Sequence, residues 1–254
     1  MSAARSRRRS PRQHRLTSEL ATDPTAAGPP LGEAIGWRPV SRPSRRELRG
    51  RHVLLRPLDA ITDAEPLYAV SHRPEGDPAI WTYLSDGPYP DVDALRRALH
   101  TAQALDDPLY FAIVPLAAGR PEGIASYLRA TPEHGVIEIG HIWFGTPMQR
   151  TVAATEAIFL LAHHAFDDLG YRRLEWKCNA LNAASRRAAE RLGFTFEGIF
   201  RKHMVIKGRN RDTAWYAITD DRWPSVRAGF KAWLADENFN AEGIQRRRLG
   251  DLIT

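Results

Sequence analysis

Pro147-Met148-Gln149-Arg150-Thr151-Val152-Ala153-Ala154-Thr155-Glu156 lies between a run that reads as a strand, 136–144, and the strongest amphipathic helix of the chain, 152–169. In that helix Ala154, Ile158, Leu161, Ala165 and Leu169 form one apolar stripe, and Gly170 supplies the residue that ends it. The first turn of a helix carries unpaired backbone N–H groups and a partial positive charge. Small side chains at 153 and 154 leave that backbone open, and Arg150 adds a cation, so the turn suits a diphosphate. Alone it is a weak signal, because most strand-to-helix turns hold no phosphate.

Outward from this turn the pattern alternates. Toward the N-terminus, 52–57 reads as a strand stopped by Pro57, 62–69 as a short helix capped by Thr62, and 91–105 as an amphipathic helix with Val92, Leu95, Leu99 and Ala102 in line. Strands are expected at 109–114, 123–128 and 136–144, with turns at 118–121 and 131–135. Toward the C-terminus come a strand at 171–178, a helix at 182–192 capped by Asn182 and ended by Gly193, strands at 194–200 and 213–218, and a last helix at 223–234. A β-meander followed by β-helix-β-helix-β-β predicts an α/β (α+β) fold on a mixed sheet.

The segment from Asn182 to Phe194 sharpens this reading. With the preceding turn it resembles the GNAT superfamily of acetyl-CoA-dependent N-acetyltransferases, and within it the branch that acetylates ribosomal-protein N-terminal amines. Four stretches carry the resemblance: Glu138-Ile139-Gly140-His141; Gln149 to Ala154; Asn182-x-x-Ser185 with Leu192-Gly193-Phe194; and Gly208-Arg209-Asn210-Arg211-Asp212 with Trp223 downstream. Together they span roughly residues 50–224 in the family's order and spacing. The resemblance implies a mostly antiparallel central sheet flanked by helices, with a V-shaped acetyl-CoA cleft. Residues 46–224 would form the acetyltransferase domain and 225–254 a C-terminal helix and polar tail. The diphosphate would lie on Gln149, Arg150, Thr151, Val152, Ala153 and Ala154. The pantetheine arm would run beside Ile142, Trp143 and Phe144 and meet Asn182. Substrate loops would lie near 71–90 and 201–212. Two positions depart from the family: Val152 stands where the loop carries glycine, and Ala189 where many members carry a tyrosine general acid.

Amine acetylation needs a neutral nucleophile and a route for one proton. An α-amino group, pKa ~7.7–8.0, is about one-tenth neutral at pH 7, whereas a lysine amine, pKa ~10.4, is almost wholly charged. A weak base therefore suffices for a protein N-terminus or a similar small amine. Glu138 is the first candidate for that base, and a half-buried acid paired with an arginine is the competing reading. His141 would serve through water only if the strand bulges, since strict alternation turns it away from Glu138. Ser185 would protonate the departing thiolate, or simply bond backbone in the first helical turn. Cys178 reads as a packed thiol, and His163 and His164 as surface or packing residues without zinc spacing.

Composition bounds the alternatives. The 254 residues carry 43% hydrophobic and 26% charged side chains, a globular balance. One cysteine excludes an internal disulfide and a Cys-rich zinc site, no metal is expected, and no apolar run approaches a membrane span. Residues 1–51 hold 12 Arg against Glu19, Asp23, Glu33 and Glu47, a net of +8, which leaves −2 for the rest of a +6 chain. Residues 1–45, rich in Arg and Pro, are expected to be a disordered extension. Their charge admits a weak nucleic-acid or ribosome contact, auxiliary to the −2 remainder. The expected protein is a cytoplasmic acetyltransferase that takes acetyl-CoA and an amine acceptor; the alternative is an acyl-CoA-binding module without turnover. Its oligomeric state is not legible.

Overall fold

A computed structural model describes residues 29–253. Most of the extension expected at 1–45 lies outside the described residues, including the arginines proposed for nucleic-acid contact. Residues 38–253 belong to one compact unit. Its sheet has eight strands in the order β1-β2-β3-β4-β5-β6-β8-β7. These are β1 (Leu48–Arg49), β2 (Val53–Pro57), β3 (Leu109–Pro115), β4 (Gly123–Thr131), β5 (Val136–Phe144), β6 (Arg173–Asn179), β7 (Thr195–Ile206) and β8 (Arg209–Thr219). Every neighbouring pair is antiparallel except β5 and β6, which run parallel. The helices are α1 (Ala60–Ser71), α2 (Val92–Gln103), α3 (Val152–His163), α4 (Ala183–Arg191) and α5 (Trp223–Leu234).

Strand alternation sorts side chains to two faces. On one face Ile113, Tyr127, Ile139, Trp176 and Tyr216 pack against Ile158 and Leu161 of α3 and Phe230 of α5. On the other, α1 and α2 cover the first half of the sheet through Leu67, Val70, Leu95 and Leu99, which meet Ala112 and Trp143. Past β5 this second face carries Glu138, Arg173, Glu175, Lys177 and Trp215 instead. The −2 balance outside the tail thus hides a local concentration of opposite charges.

Four boundaries differ from the sequence reading. Helix α1 starts earlier, because Asp59 rather than Thr62 caps it: Ile61 N–H donates to Asp59 Oδ1 at 2.9 Å. The helix expected over 152–169 ends at His163, and His164–Asp168 widens to a π turn. There Asp167 is drawn toward α5, accepting from Trp223 Nε1 at 2.8 Å and pairing with Arg227. Strands β7 and β8 extend well past 200 and 213, joined by Lys207-Gly208, both at positive φ (50° and 71°). Such a two-residue turn matches the twist of the strands. Sequence hides the extension because β7 is an edge strand exposed along nearly its whole length, so burial imposes no alternation on it. The segment after α5, polar by composition, folds back: Leu249 is fully buried, and a Cβ on Gly229 would come within 2.5 Å of Ile253 Cγ1.

One buried carboxylate ties helix to sheet. Glu156 of α3, 4% exposed, accepts the N–H of Arg51 at 2.9 Å and of His52 at 2.7 Å, which shapes the turn into β2. Gly50 makes room, since a Cβ there would sit 2.5 Å from Glu156 Cδ. Glu156→Ala leaves two backbone donors without their acceptor. It should lower unfolding free energy by about 2–4 kcal/mol in urea titration; a loss below about 1 kcal/mol would show that water replaces the carboxylate.

Candidate active site

The parallel strands β5 and β6 pair only from Val136↔Arg173 to Ile139↔Trp176. Beyond that point β5 keeps β4 as its partner and β6 keeps β8, so a wedge opens between them. The wedge begins at a bulge. Gly140 faces Ser126, but Trp143 faces Ile124, so β5 holds one residue more than β4 across this step. His141 takes the strain at φ +50°. A bulge breaks strict alternation and re-aims a side chain, which is the condition under which His141 joins the cleft.

Half-buried His141 lines a cavity of about 50 Å³ with Trp81, Asp86, Tyr89, Tyr110 and Trp143. Its tautomer follows from a proton count. Ser126 Oγ lies 3.0 Å from Gly140 O and 3.0 Å from His141 Nδ1. The hydroxyl has one proton, and the carbonyl can only accept it. Nδ1 must then donate to Oγ, which assigns Nε2 as the free lone pair. Burial pushes the His141 pKa below its ordinary value, with Asp86 opposing and Arg211 assisting. Neutral imidazole at pH 7 is the result. Tyr110, 5.3 Å away between ring centroids, is pushed up to about 12 by burial and by Asp86, so it stays a neutral donor.

Glu138 is brought to the wedge but is already paired. Its Oε2 accepts from Lys177 Nζ at 2.8 Å and lies 3.7 Å from Arg129 Nε. Lys177 also reaches Glu175 at 2.8 Å, and its Nζ lies 3.7 Å from the Trp215 ring centroid. Arg173 continues the chain to Glu175 and Glu197. Burial raises the Glu138 pKa, and Lys177 counters part of that rise. Glu138 Oε1 faces Gly140, where a Cβ would approach it to 3.3 Å.

Across the wedge, α4 presents Asn182 and Ser185. Asn182 Oδ1 accepts the Ser185 N–H at 3.0 Å, which closes the first turn. Ser185 Oγ accepts from Trp176 Nε1 at 3.0 Å. That bond uses a lone pair and leaves the hydroxyl proton for another acceptor. Cys178 is buried, and burial raises its thiol pKa although Ser185 works against this. Ala189 is fully buried and, as alanine, carries no proton donor.

In the turn after β5, positive φ falls on exposed Arg150, at +62°, and not on Val152. Val152 is simply the first residue of α3, half-buried against the core, so its β-branch meets no strain there. Thr151 caps the helix by accepting from Ala154 N–H at 3.2 Å and donates to Met148 O at 2.8 Å. Gln149 Nε2 donates to Phe144 O at 3.0 Å. Ala153 and Ala154 are buried. What remains for a diphosphate is the N–H pair of Val152 and Ala153, which first-turn geometry leaves without helical acceptors, and the Arg150 guanidinium. This donor set fits an anion. Ile142 and Phe144 pack toward the first core, whereas Trp143 turns to the cavity, 5.1 Å from Trp81 between ring centroids. An extended ligand in the wedge would meet their backbone rather than their side chains.

Sequence reasoning missed Asp86, Tyr89, Tyr110, Lys177 and Arg211. No local pattern singles them out, although the expected substrate loops at 71–90 and 201–212 contain Asp86, Tyr89 and Arg211.

Known proteins show the same organisation. A model of the acetyltransferase (GNAT) domain matches residues 52–195. The "Probable N-acetyltransferase YjcK" of Bacillus subtilis (strain 168) is 26% identical over 176 residues, covering 67% of this chain and 96% of that protein. A crystal structure of a GCN5-related N-acetyltransferase from Brucella melitensis is 44% identical, covers 85% of this chain and 98% of its own, and superposes with a TM-score of 0.82. An acetyl transferase of Salmonella typhimurium that modifies the N-terminal serine of a 50S ribosomal subunit protein shares the fold, with a TM-score of 0.58 at 20% identity over 68% of this chain and 99% of its own. With more than half of the chain matched by the domain model, and nearly the whole length of a 44% identical relative reproduced, the chain belongs to the GNAT acetyltransferase family.

Proposed function

We propose that this chain transfers the acetyl group of acetyl-CoA to a primary amine by direct attack, with His141 taking the amine proton. The observation that carries this is the bulge in β5, which puts a neutral imidazole with a free Nε2 on the wall of the aromatic cavity. Acetyl-CoA supplies the activated acyl group. Arg150 and the first-turn amides of Val152 and Ala153 hold its diphosphate, and the β5 backbone at Ile142, Trp143 and Phe144 lies along its arm. Asn182, already spent as a cap through Oδ1, keeps its amide donors for that arm. Ser185 retains a proton for the thiolate, the role that buried Ala189 cannot fill. Glu138 was the base expected from the sequence. Held by Lys177, it serves better as the anion that fixes this wall of the cleft.

A protein N-terminus or a small amine of similar pKa suits a single histidine base, because about one-tenth of it is neutral at pH 7. The ribosomal-protein branch stays within this reading as one kind of acceptor, and use of acetyl-CoA goes with a cytoplasmic setting. Thiol release from acetyl-CoA across an amine panel tests the proposal. Binding of acetyl-CoA with no release on any amine would favour a binding module instead. The cofactor site has its own test. Arg150→Glu should raise the Kd for CoA at least tenfold by calorimetry without moving the unfolding midpoint, because Arg150 is exposed and reversal places a carboxylate beside the diphosphate. An unchanged Kd would move the diphosphate off this turn.

A further inference from the structure

Arg211 has no acidic partner. It stands on β8, on the same side of the strand as Thr213 and Trp215 and opposite Met204 of β7. Its half-buried guanidinium makes no ion pair within 4 Å among the described residues, and its Nε is buried without a hydrogen-bond partner. The neighbouring carboxylates are committed. Glu138 is held by Lys177 and Arg129, and Glu175 and Glu197 by Lys177 and Arg173. Among these groups Arg211 is the cation without a carboxylate within 4 Å, and Asp86 on the cavity wall is engaged by the Tyr89 hydroxyl. Burial lowers the Arg211 pKa, with Cys178 and Glu138 opposing, and an arginine stays charged under any such shift.

Two further donors point the same way. Trp81 Nε1 and Trp215 Nε1 are buried and unpartnered, as Arg211 Nε is. Trp81 lines the cavity with His141, and Lys207 at the hairpin tip donates to Trp81 O at 2.8 Å. The elements that carry Trp81 and Arg211 are therefore tied together. Unpaired buried donors are costly, so the arrangement fits a ligand that brings acceptor oxygens and one negative charge. The planar fork of a guanidinium matches a carboxylate in particular.

We propose that Arg211 recognises a carboxylate of the acceptor, which makes the substrate a primary amine bearing a carboxylate a few bonds away, an amino-acid-like molecule. This rests on the acetyltransferase reading above and narrows it: polyamines and other purely cationic amines are disfavoured because they bring no acceptor oxygen to the Arg211 guanidinium. Arg211 is a specificity residue in this role, since His141 handles the proton.

The experiment pairs each acceptor with its carboxylate-free counterpart: free α-amino acids, their amides and their decarboxylated amines, with a tetrapeptide beginning in aspartate as a separate arm. Thiol release and binding in the presence of CoA are both measured. KM for the amino acids should be at least tenfold below that of the amides and amines. Arg211→Gln should raise KM for carboxylate acceptors at least tenfold, leave kcat on the plain amines within twofold, and preserve the unfolding midpoint; Arg211→Lys should recover part of the preference. If the tetrapeptide shows the Arg211-dependent KM and free amino acids do not, the carboxylate belongs to a peptide and the small-molecule assignment is overturned. A loss of kcat shared by every acceptor would assign Arg211 to the transfer step and overturn carboxylate recognition. If no acceptor releases thiol, binding decides: amino-acid binding that requires Arg211 keeps the carboxylate site and rejects the transferase reading, and its absence rejects the site.

Discussion

His141→Ala is expected to lower kcat/KM near pH 7 by about 10²–10⁴-fold, the range of a lost general base. In the proposed mechanism Nε2 removes the amine proton, and neither Tyr110, raised to about 12, nor ion-paired Glu138 replaces it. The pH profile supplies the sharper test. Burial depresses the His141 pKa, so the imidazole protonates only below the ordinary histidine range. Wild-type activity should therefore persist to pH values under the ordinary histidine range and fall as His141 gains its proton. In His141→Ala that acidic limb should move up toward the acceptor amine's own pKa, because only amine already neutral in solution then reacts. Added imidazole should restore part of the rate by occupying the vacated space. A loss under fivefold with an unmoved acidic limb would remove His141 from the proton route and leave orientation as the source of rate.

Lys177→Met is expected to cost about 3–5 kcal/mol of folding stability. The ammonium is 4% exposed and lies 2.8 Å from both Glu138 and Glu175, beneath the Trp215 ring. Methionine keeps the packing volume but leaves buried Glu138 with only Arg129 at 3.7 Å, while Glu175 keeps Arg173. The sign with pH follows from linkage. Burial already raises the Glu138 pKa, and without the cation it rises further above its unfolded value, so Glu138 destabilises the fold where the unfolded chain would be ionised. The penalty should thus be full near pH 7.5 and shrink as pH falls through the raised value, when the folded state takes up a proton. Urea unfolding at pH 7.5 and pH 5 reads this difference. Adding Glu138→Gln to Lys177→Met should recover part of the loss at pH 7.5. A pH-independent loss would mean that methionine is misfitted against Trp215 and that charge is not the cause.

These two residues also mark how far the sequence reaches. The stripe Ala154, Ile158, Leu161 with Gly170, the cap at Asn182 and the alternating strands were legible because each is a local pattern whose period matches an element. Their order, with the motifs from 138 to 212, implied the family and therefore the sheet that the structure shows. Val152 stands where the family loop carries glycine, yet the positive φ falls two residues earlier, on Arg150, because the chain turns before Thr151 caps the helix. Residue type alone does not say where a turn places its positive φ.

The catalytic wall was legible only as a set of alternatives. Glu138 and His141 alternate on an ideal strand, and the extra residue in β5 that lets His141 join the cavity is defined by register with β4, from Ser126↔Gly140 to Ile124↔Trp143. Likewise Lys177, Glu175 and Arg211 are ordinary surface-type residues in sequence. Lys177 and its two carboxylates become a buried cluster, with Arg211 unpaired nearby among the described residues, because parallel pairing of β5 with β6 sets Glu138 beside Glu175, and β8 lays Trp215 over Lys177. The sequence by itself determined the elements, their order and the family, since helical and strand periods and caps are interactions within a few residues along the chain. Only the tertiary structure decided which proton acceptor faces the cleft and which charge lacks a partner, since strand register and burial are set by residues tens of positions apart.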